Sequence, residues 1–221
     1  MNLNLPKLQA AISAGNVVEL EQLLAADPSL AAATSEQGVS MILWALYQGQ
    51  REAALVIAGH KSALDLFEAA ALGLSDTVSS LLRDDPAAVS ALAVDGFPAL
   101  GLAVFFGQAA CAALLLAAGA DAAQAAANPM RVAPIHAACT HRDEVLGCRL
   151  VHLLLAFGAD PNARQQAGYT PLHSAAHRNQ PRLITLLRAA GADPLISNDA
   201  GDTAIDLARR ESNAEALGAL Q

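Results

Sequence analysis

A cluster of histidine and cysteine residues is the part of this sequence that could most readily carry out metal or redox chemistry. It comprises His136, Cys139, His141, Cys148 and His152. Histidine nitrogen and cysteine sulfur are preferred ligands of Zn²⁺, and Cys148 and His152 have the i, i+4 spacing that puts two ligands on one helix face. One hypothesis is therefore a metal-dependent or redox sensor at residues 136–152.

No catalytic motif accompanies this cluster. The sequence has no G-x-x-x-x-G-K-[ST] nucleotide loop, no H-E-x-x-H zinc motif and no G-x-S-x-G nucleophile turn. The carboxylates are scattered at predicted loops and helix ends, where charged side chains are usually solvated. We therefore predict that the protein is not an enzyme, and that it has no cofactor.

Composition narrows the class of protein further. The chain is 54% hydrophobic but only 4% aromatic, and runs of Ala and Leu predict helices rather than strands. The net charge of −8, without a basic stripe, argues against nucleic-acid binding. Three cysteines and no apolar leader at the start predict a cytoplasmic protein with reduced thiols. Residues 96–120 carry no charge, but Pro98, Gly101 and Gly107 interrupt them, so we expect no membrane span.

A unit of about 33 residues recurs along the chain and must position these side chains. The clearest copies are GYTPLHSAA (168–176) with LLRAAGADP (186–194), RVAPIHAAC (131–139) with LLLAFGADP (153–161), and GFPALGLAV (96–104) with LLLAAGADA (114–122). In the first copy, Gly168 suits a turn with positive φ, Thr170 can cap a helix, and Pro171 fits its first turn. Leu172 begins the apolar face. A fixed period of this size indicates a stacked repeat protein.

These motifs closely resemble the ankyrin repeat. The resemblance covers nearly the whole chain and is most specific from residue 96 onward. It implies a single all-α solenoid domain spanning 1–221, with about seven helix-loop-helix units and short hairpin loops. The units start near residues 4, 38, 62, 96, 131, 168 and 201.

The resemblance also gives roles to the motif residues Pro134, His136, Thr170, Pro171, Leu172 and His173. In ankyrin repeats the histidine of this motif usually binds neighbouring backbone and ties units together. We therefore favour a structural role for His136 and His173. Cys139 replaces a small packing residue, and His136 and His152 should face different ways, so we predict no metal site.

Two departures from the period predict local differences. The spacing from Gly38 to Ser62 is too short for a hairpin, so we predict that one hairpin is missing near 59–63. The unit at 131–167 has extra residues around 140–148, which predict a longer first helix or a protruding loop beside the binding face.

The repeat register also predicts which side chains line the concave face. An apolar centre and a flank rich in His and Arg suggest a partner with an apolar plug beside an acidic patch. The predicted partner-binding residues are Tyr47, Leu72, Phe97, Phe105, Phe106, His141, Arg142, Tyr169, His177 and Arg178. An open alternative is that Phe105 and Phe106 pack under residues 140–148.

The leading hypothesis is a non-catalytic protein–protein interaction module that binds a partner protein through this face. It would be a monomer or a weak homodimer. An inhibitor or immunity-type protein that covers an enzyme is the first alternative, and the sensor at residues 136–152 is the second.

Overall fold

The computed structural model describes residues 4–221, in which fourteen α-helices follow one another as seven pairs. The first helix of each pair is α1 (Leu5–Ser13), α3 (Met41–Tyr47), α5 (Leu66–Leu72), α7 (Ala99–Phe105), α9 (Pro134–Ala138), α11 (Pro171–His177) or α13 (Ala204–Arg210). The second helices are α2 (Val17–Ala26), α4 (Arg51–His60), α6 (Ser75–Asp84), α8 (Ala109–Ala117), α10 (Glu144–Ala156), α12 (Pro181–Ala189) and α14 (Ala214–Leu220). Short 3₁₀ turns lie at Pro28–Ala32, Pro86–Ser90 and Gln166–Gly168.

Along most of the stack, first helices contact first helices and second helices contact second helices. Thus α5 packs on α7, and α10 packs on α12. Buried alanines such as Ala70, Ala103 and Ala175 let the helices approach closely. The all-α helical solenoid predicted from the repeats is confirmed. Within residues 4–221, no helix has the length and apolar character needed to cross a bilayer.

The start of α11 shows how the motif residues act. The ring nitrogen Nδ1 of His173 accepts from the backbone N–H of Thr170 at 3.1 Å and lies 2.7 Å from its hydroxyl oxygen. Nε2 of the same ring therefore carries the proton and donates to the carbonyl of Asp202, 3.0 Å away in the next repeat. Gly168 has φ = 74°, as the predicted turn requires, and Pro171 and Leu172 are buried.

His136 ties its repeat to the next in the same way. Its Nε2 lies 2.9 Å from the carbonyl oxygen of Ala163. Ala133 stands where the other repeat has Thr170, so this histidine lacks a hydroxyl partner, and its buried Nδ1 has no hydrogen bond within residues 4–221. Pro134 is buried in the first turn of α9. Both histidines thus contact a backbone carbonyl in the connection to the following repeat.

Hairpin loops, here called fingers, connect most of the pairs. The described fingers are the segments 34–40, 92–98, 126–132, 165–169 and 197–203, and each is closed by backbone hydrogen bonds or an isolated bridge. No finger separates α4 from α5, because α4 ends at His60 and α5 begins at Leu66. The prediction that one hairpin is missing near 59–63 is therefore confirmed, because a five-residue connection replaces it.

That connection is held by a buried ion pair. Nζ of Lys61 lies 2.6 and 2.7 Å from the two carboxylate oxygens of Glu68, whose side chain is completely buried. Asp65 caps α5 by accepting from the Glu68 N–H at 2.8 Å. Glu68 thus occupies the helix position that His173 has in α11, and joins the capping site to the connection.

The apolar core falls into two clusters along the stack. One contains residues of α1 to α4 together with Ala71, Leu72 and Leu102. The other runs from Leu66 to Leu220. Phe67 and Leu74 are partly buried against both. The division falls near the connection that lacks a finger.

The extra residues of the unit at 131–167 lengthen its second helix. α10 has 13 residues, whereas α9 has only 5. The expectation of a longer first helix or a protruding loop was wrong, because Asp143 caps α10 directly after the turn. Its carboxylate accepts from the N–H groups of Val145 and Leu146.

Candidate functional site

Three aromatic side chains from two different repeats meet at the C-terminal ends of α3 and α7. The ring centroid of Tyr47 lies 5.4 Å from that of Phe106 and 6.2 Å from that of Phe105, and the two phenylalanines are 5.0 Å apart. We call these three residues the aromatic cluster. Tyr47 and Phe105 are 39% and 41% exposed, so the cluster presents apolar area to solvent.

The aromatic cluster lies over the end of α5, which packs against both α3 and α7. Leu72, the last residue of α5, is completely buried there. The prediction that Leu72 lines the exposed face was therefore wrong. The equivalent last residues of α3, α7 and α11 are exposed, whereas Leu72 packs in the core cluster that also contains Ala71 and Leu102.

A hydrogen bond fixes the orientation of Tyr47. Its hydroxyl donates to a carboxylate oxygen of Asp95, 2.7 Å away in the 92–98 finger. Burial raises the pKa of Tyr47 well above its ordinary value, and the bond to Asp95 and its negative charge raise it further. The other carboxylate oxygen of Asp95 accepts from the backbone N–H of Phe97 at 3.3 Å. Phe97 itself is only partly exposed and packs against the N-terminal core cluster.

A polar cleft of about 390 Å³ lies between the next two repeats and is lined by both predicted arginines. Its walls are His141, Arg142, Glu144, Arg178, Asn179 and Gln180. Within residues 4–221, Arg142 and Arg178 take part in no ion pair. The carboxylate of Glu144 is already used, since it accepts from the N–H groups of Arg182 and Leu183 at 2.7 and 3.2 Å.

Of the remaining predicted partner-binding residues, some are exposed to solvent and others are held between the repeats. Nε2 of His141 lies 2.7 Å from the carbonyl oxygen of Val104, so this ring is held inside the stack. His177 is exposed and lies 3.8 Å from Glu211. Tyr169 is partly exposed, and its ring lies 5.5 Å from that of His173. These residues do not join the aromatic cluster, which Asp95 supports instead.

A repeated amide that holds the stack together was missed at the sequence level. Each of these side chains precedes a second helix and donates to a carbonyl of the preceding repeat. Gln108 donates to Ala71, Gln180 to His141, and Asn213 to Ala176. The signal was available, because an amide recurs before the second helix in several units.

The histidine–cysteine cluster does not assemble into a metal site. Within residues 4–221, no three His, Cys, Asp or Glu side chains lie close enough together to hold a metal ion. Burial raises the pKa of the Cys139 thiol, which is completely enclosed, and also raises the pKa of the partly buried Cys148 thiol. Thiols of this kind resist forming the reactive thiolate. The geometry thus gives the sensor hypothesis no support.

Comparison with known proteins agrees with the fold. A family model described as ankyrin repeats (many copies) matches residues 153–208. A comparison with curated proteins gave no match. Together with the helical solenoid over residues 4–221, the match supports an ankyrin-repeat protein. Ankyrin repeats generally mediate protein–protein interaction, and the family is typically non-catalytic.

Proposed function

We propose that this protein is a non-catalytic binding module whose partner protein places an apolar side chain on the aromatic cluster. The observation that carries the proposal is the exposure of Tyr47 and Phe105 in a cluster that a hydrogen bond already orients. Interface hot spots are enriched in such aromatic anchors. Because the rings are held before the partner arrives, little side-chain entropy is lost on binding.

The cleft beside the aromatic cluster supports an acidic partner. Arg142 and Arg178 both line it, whereas the nearby acid Glu144 is bound to backbone N–H groups. Guanidinium groups pair well with carboxylates, through two parallel hydrogen bonds. A carboxylate of the partner would therefore bind at the cleft and fix the orientation of the complex.

The test is affinity capture from lysate of the native cell, with mass spectrometry of the retained proteins. Wild type is compared with the double variant Phe105→Ala/Phe106→Ala and with Phe157→Ala. Phe157 is an equally exposed phenylalanine, at the end of α10 and away from the cluster. We expect a protein retained by wild type and by Phe157→Ala but lost with the double variant, whose helical circular dichroism stays unchanged.

A second variant, Arg142→Glu/Arg178→Glu, tests the acidic part of the proposal. It should weaken binding of the captured protein at least tenfold, since the cleft would then repel a carboxylate. If all four proteins retain the same set of partners, the aromatic cluster is not the binding surface and the proposal fails.

A further inference from the structure

A second cleft, of about 280 Å³, opens directly beside the aromatic cluster. Gly107, which follows Phe106 in the chain, lines it together with Gln108 and the first residues of α8. Leu146 and Arg149 of α10 also line it. We call it the Arg149 cleft, because Arg149 is the one charged residue among its described lining residues.

The guanidinium group of Arg149 is exposed, and within residues 4–221 it takes part in no ion pair. The two acids at the start of α10 do not offset its charge, because both carboxylates are already bound. Asp143 accepts from N–H groups of α10 itself, and Glu144 accepts from N–H groups of α12. The guanidinium is therefore available to an anion from another molecule.

Glu144 shows how this fold holds a carboxylate between two repeats. It is the first residue of α10, and one of its oxygens accepts from Arg182 and Leu183, the second and third residues of α12. The first N–H groups of a helix have no acceptor within the helix, so a carboxylate satisfies them and is stabilised by their dipoles.

The equivalent place beside α8 lacks a carboxylate. Ser75, the first residue of α6, stands where α10 has its glutamate, and Ala110 and Cys111 are the second and third residues of α8. The Ser75 hydroxyl lies 3.5 Å from the sulfur of Cys111. In the described part of the chain, the N–H groups of Ala110 and Cys111 have no acceptor, and both residues line the Arg149 cleft.

We propose that an Asp or Glu side chain of a partner polypeptide fills this place, an inference that rests on the partner protein of the proposed function. Its carboxylate accepts from the N–H groups of Ala110 and Cys111 and pairs with the guanidinium of Arg149. The partner thus makes the contact between repeats that Glu144 makes one repeat pair further along the stack.

The arrangement of the clefts indicates the rest of the partner segment. Packed helices lie about 8–10 Å apart, which an extended chain covers in about three residues. The Arg149 cleft lies at the start of α8, and the cleft lined by Arg142 and Arg178 lies at the start of α12. The segment should therefore carry acids at intervals of about three residues, with an apolar residue for the adjoining aromatic cluster.

Peptides test the proposed contact without knowledge of the natural partner. A phage-displayed library of 12-residue peptides is selected on wild type, and synthetic copies of the recovered peptides are titrated by fluorescence anisotropy. We expect acidic peptides that bind Arg149→Gln at least tenfold more weakly than wild type. The matched control is Arg83→Gln, since Arg83 is an exposed arginine of α6 that lies in no ion pair within residues 4–221. It should bind as wild type does.

A change in the peptide completes the comparison. Each Asp or Glu of a recovered peptide is replaced in turn by Asn or Gln. For one of these copies, binding to wild type should fall at least tenfold, and Arg149→Gln should then bind it as tightly as wild type does. If every copy still distinguishes the two proteins, no peptide carboxylate pairs with Arg149 and the proposal is wrong.

Ser75→Glu supplies the missing carboxylate from the chain itself. It should weaken binding of the same peptides at least tenfold, whereas Ser75→Ala should bind them as wild type does. A melting temperature at or above that of wild type shows that Ser75→Glu is folded. Hydrogen exchange of the Ala110 and Cys111 amides should slow in this variant, and also in wild type with bound peptide. Undiminished peptide binding by Ser75→Glu overturns the proposal.

The remaining outcomes separate this proposal from the proposed function. Peptides lost with Phe105→Ala/Phe106→Ala but bound equally by Arg149→Gln and Ser75→Glu would support the aromatic cluster and overturn the carboxylate contact. Peptides weakened only by the double arginine variant would place the acid in the other cleft alone. Recovery of no acidic peptide also overturns the proposal. A wild-type dimer that Ser75→Glu dissociates would show that the carboxylate comes from a second copy of this chain, and the proposed partner would be wrong.

Discussion

The rings of Tyr47 and Phe106 are in contact although a complete helix pair, α5 and α6, lies between the two pairs that carry them. Packed helices lie about 8–10 Å apart, so a contact across an intervening helix requires large side chains from both sides. The contact joins the second helix pair directly to the fourth and holds three rings in one surface. The same three residues therefore pack against each other and also form exposed surface, so substitutions there should affect stability as well as binding.

Tyr47→Phe should destabilise the protein by about 1 kcal/mol, because it removes the hydroxyl that donates to Asp95 while keeping the ring. Urea unfolding measures the change. Tyr169→Phe is the matched control, since the Tyr169 hydroxyl makes no hydrogen bond within residues 4–221. Equal stability of wild type and Tyr47→Phe would show that the bond contributes nothing in solution.

Ala133→Thr should stabilise the protein by about 1 kcal/mol, because its hydroxyl can reach the unpaired Nδ1 of His136. The arrangement copies the one that Thr170 makes with His173. The reverse change, Thr170→Ala, should cost about 1 kcal/mol. Thermal melting of both variants is the measurement, and a lower melting temperature for Ala133→Thr would contradict the assigned role of Ala133.

Stability should fall as the pH drops from about 6.5 toward 5. Burial lowers the pKa of His136 and His173 below the unfolded value, so both are neutral when folded. The unfolded chain binds protons first as the pH falls, and stability present above the unfolded pKa is lost. Urea midpoints at several pH values measure the slope. His173→Gln should make it shallower, and an unchanged slope in that variant would exclude His173 as a source.

Lys61→Met should cost about 3 kcal/mol, because it leaves the buried carboxylate of Glu68 without a counter-charge. Adding Glu68→Gln should recover most of that loss, since the amide oxygen can still accept from the Asp65 N–H. Chemical denaturation of the single and double variants gives the comparison. If the double variant is no more stable than Lys61→Met, charge burial is not the cause.

The helix pairs and the absent hairpin followed from the sequence because both are local. Spacing between repeats counts residues, and the count between Gly38 and Ser62 leaves no room for a hairpin. The histidine contacts followed in the same way, since each is set by one motif and the repeat after it. The capped first turn at Thr170 needed only neighbouring residues.

The exposed surface was less predictable, because exposure depends on what lies across the neighbouring repeats. Leu72 occupies a position that is exposed in other units, yet it is buried in the core cluster that also contains Ala71 and Leu102. The Tyr47–Asp95 bond joins residues 48 positions apart, and no local pattern marks it.

The two core clusters have a consequence for the life of the protein in the cell. Because each cluster is held mainly by its own contacts, the N-terminal helices α1 to α4 can detach while the remaining pairs stay folded. A chain without these four packed helices would expose the apolar residues Ala71 and Leu72 of α5, which belong to the N-terminal cluster. Exposed apolar area of this kind promotes aggregation and binding to chaperones. Both would therefore start at the third helix pair rather than at either end of the stack.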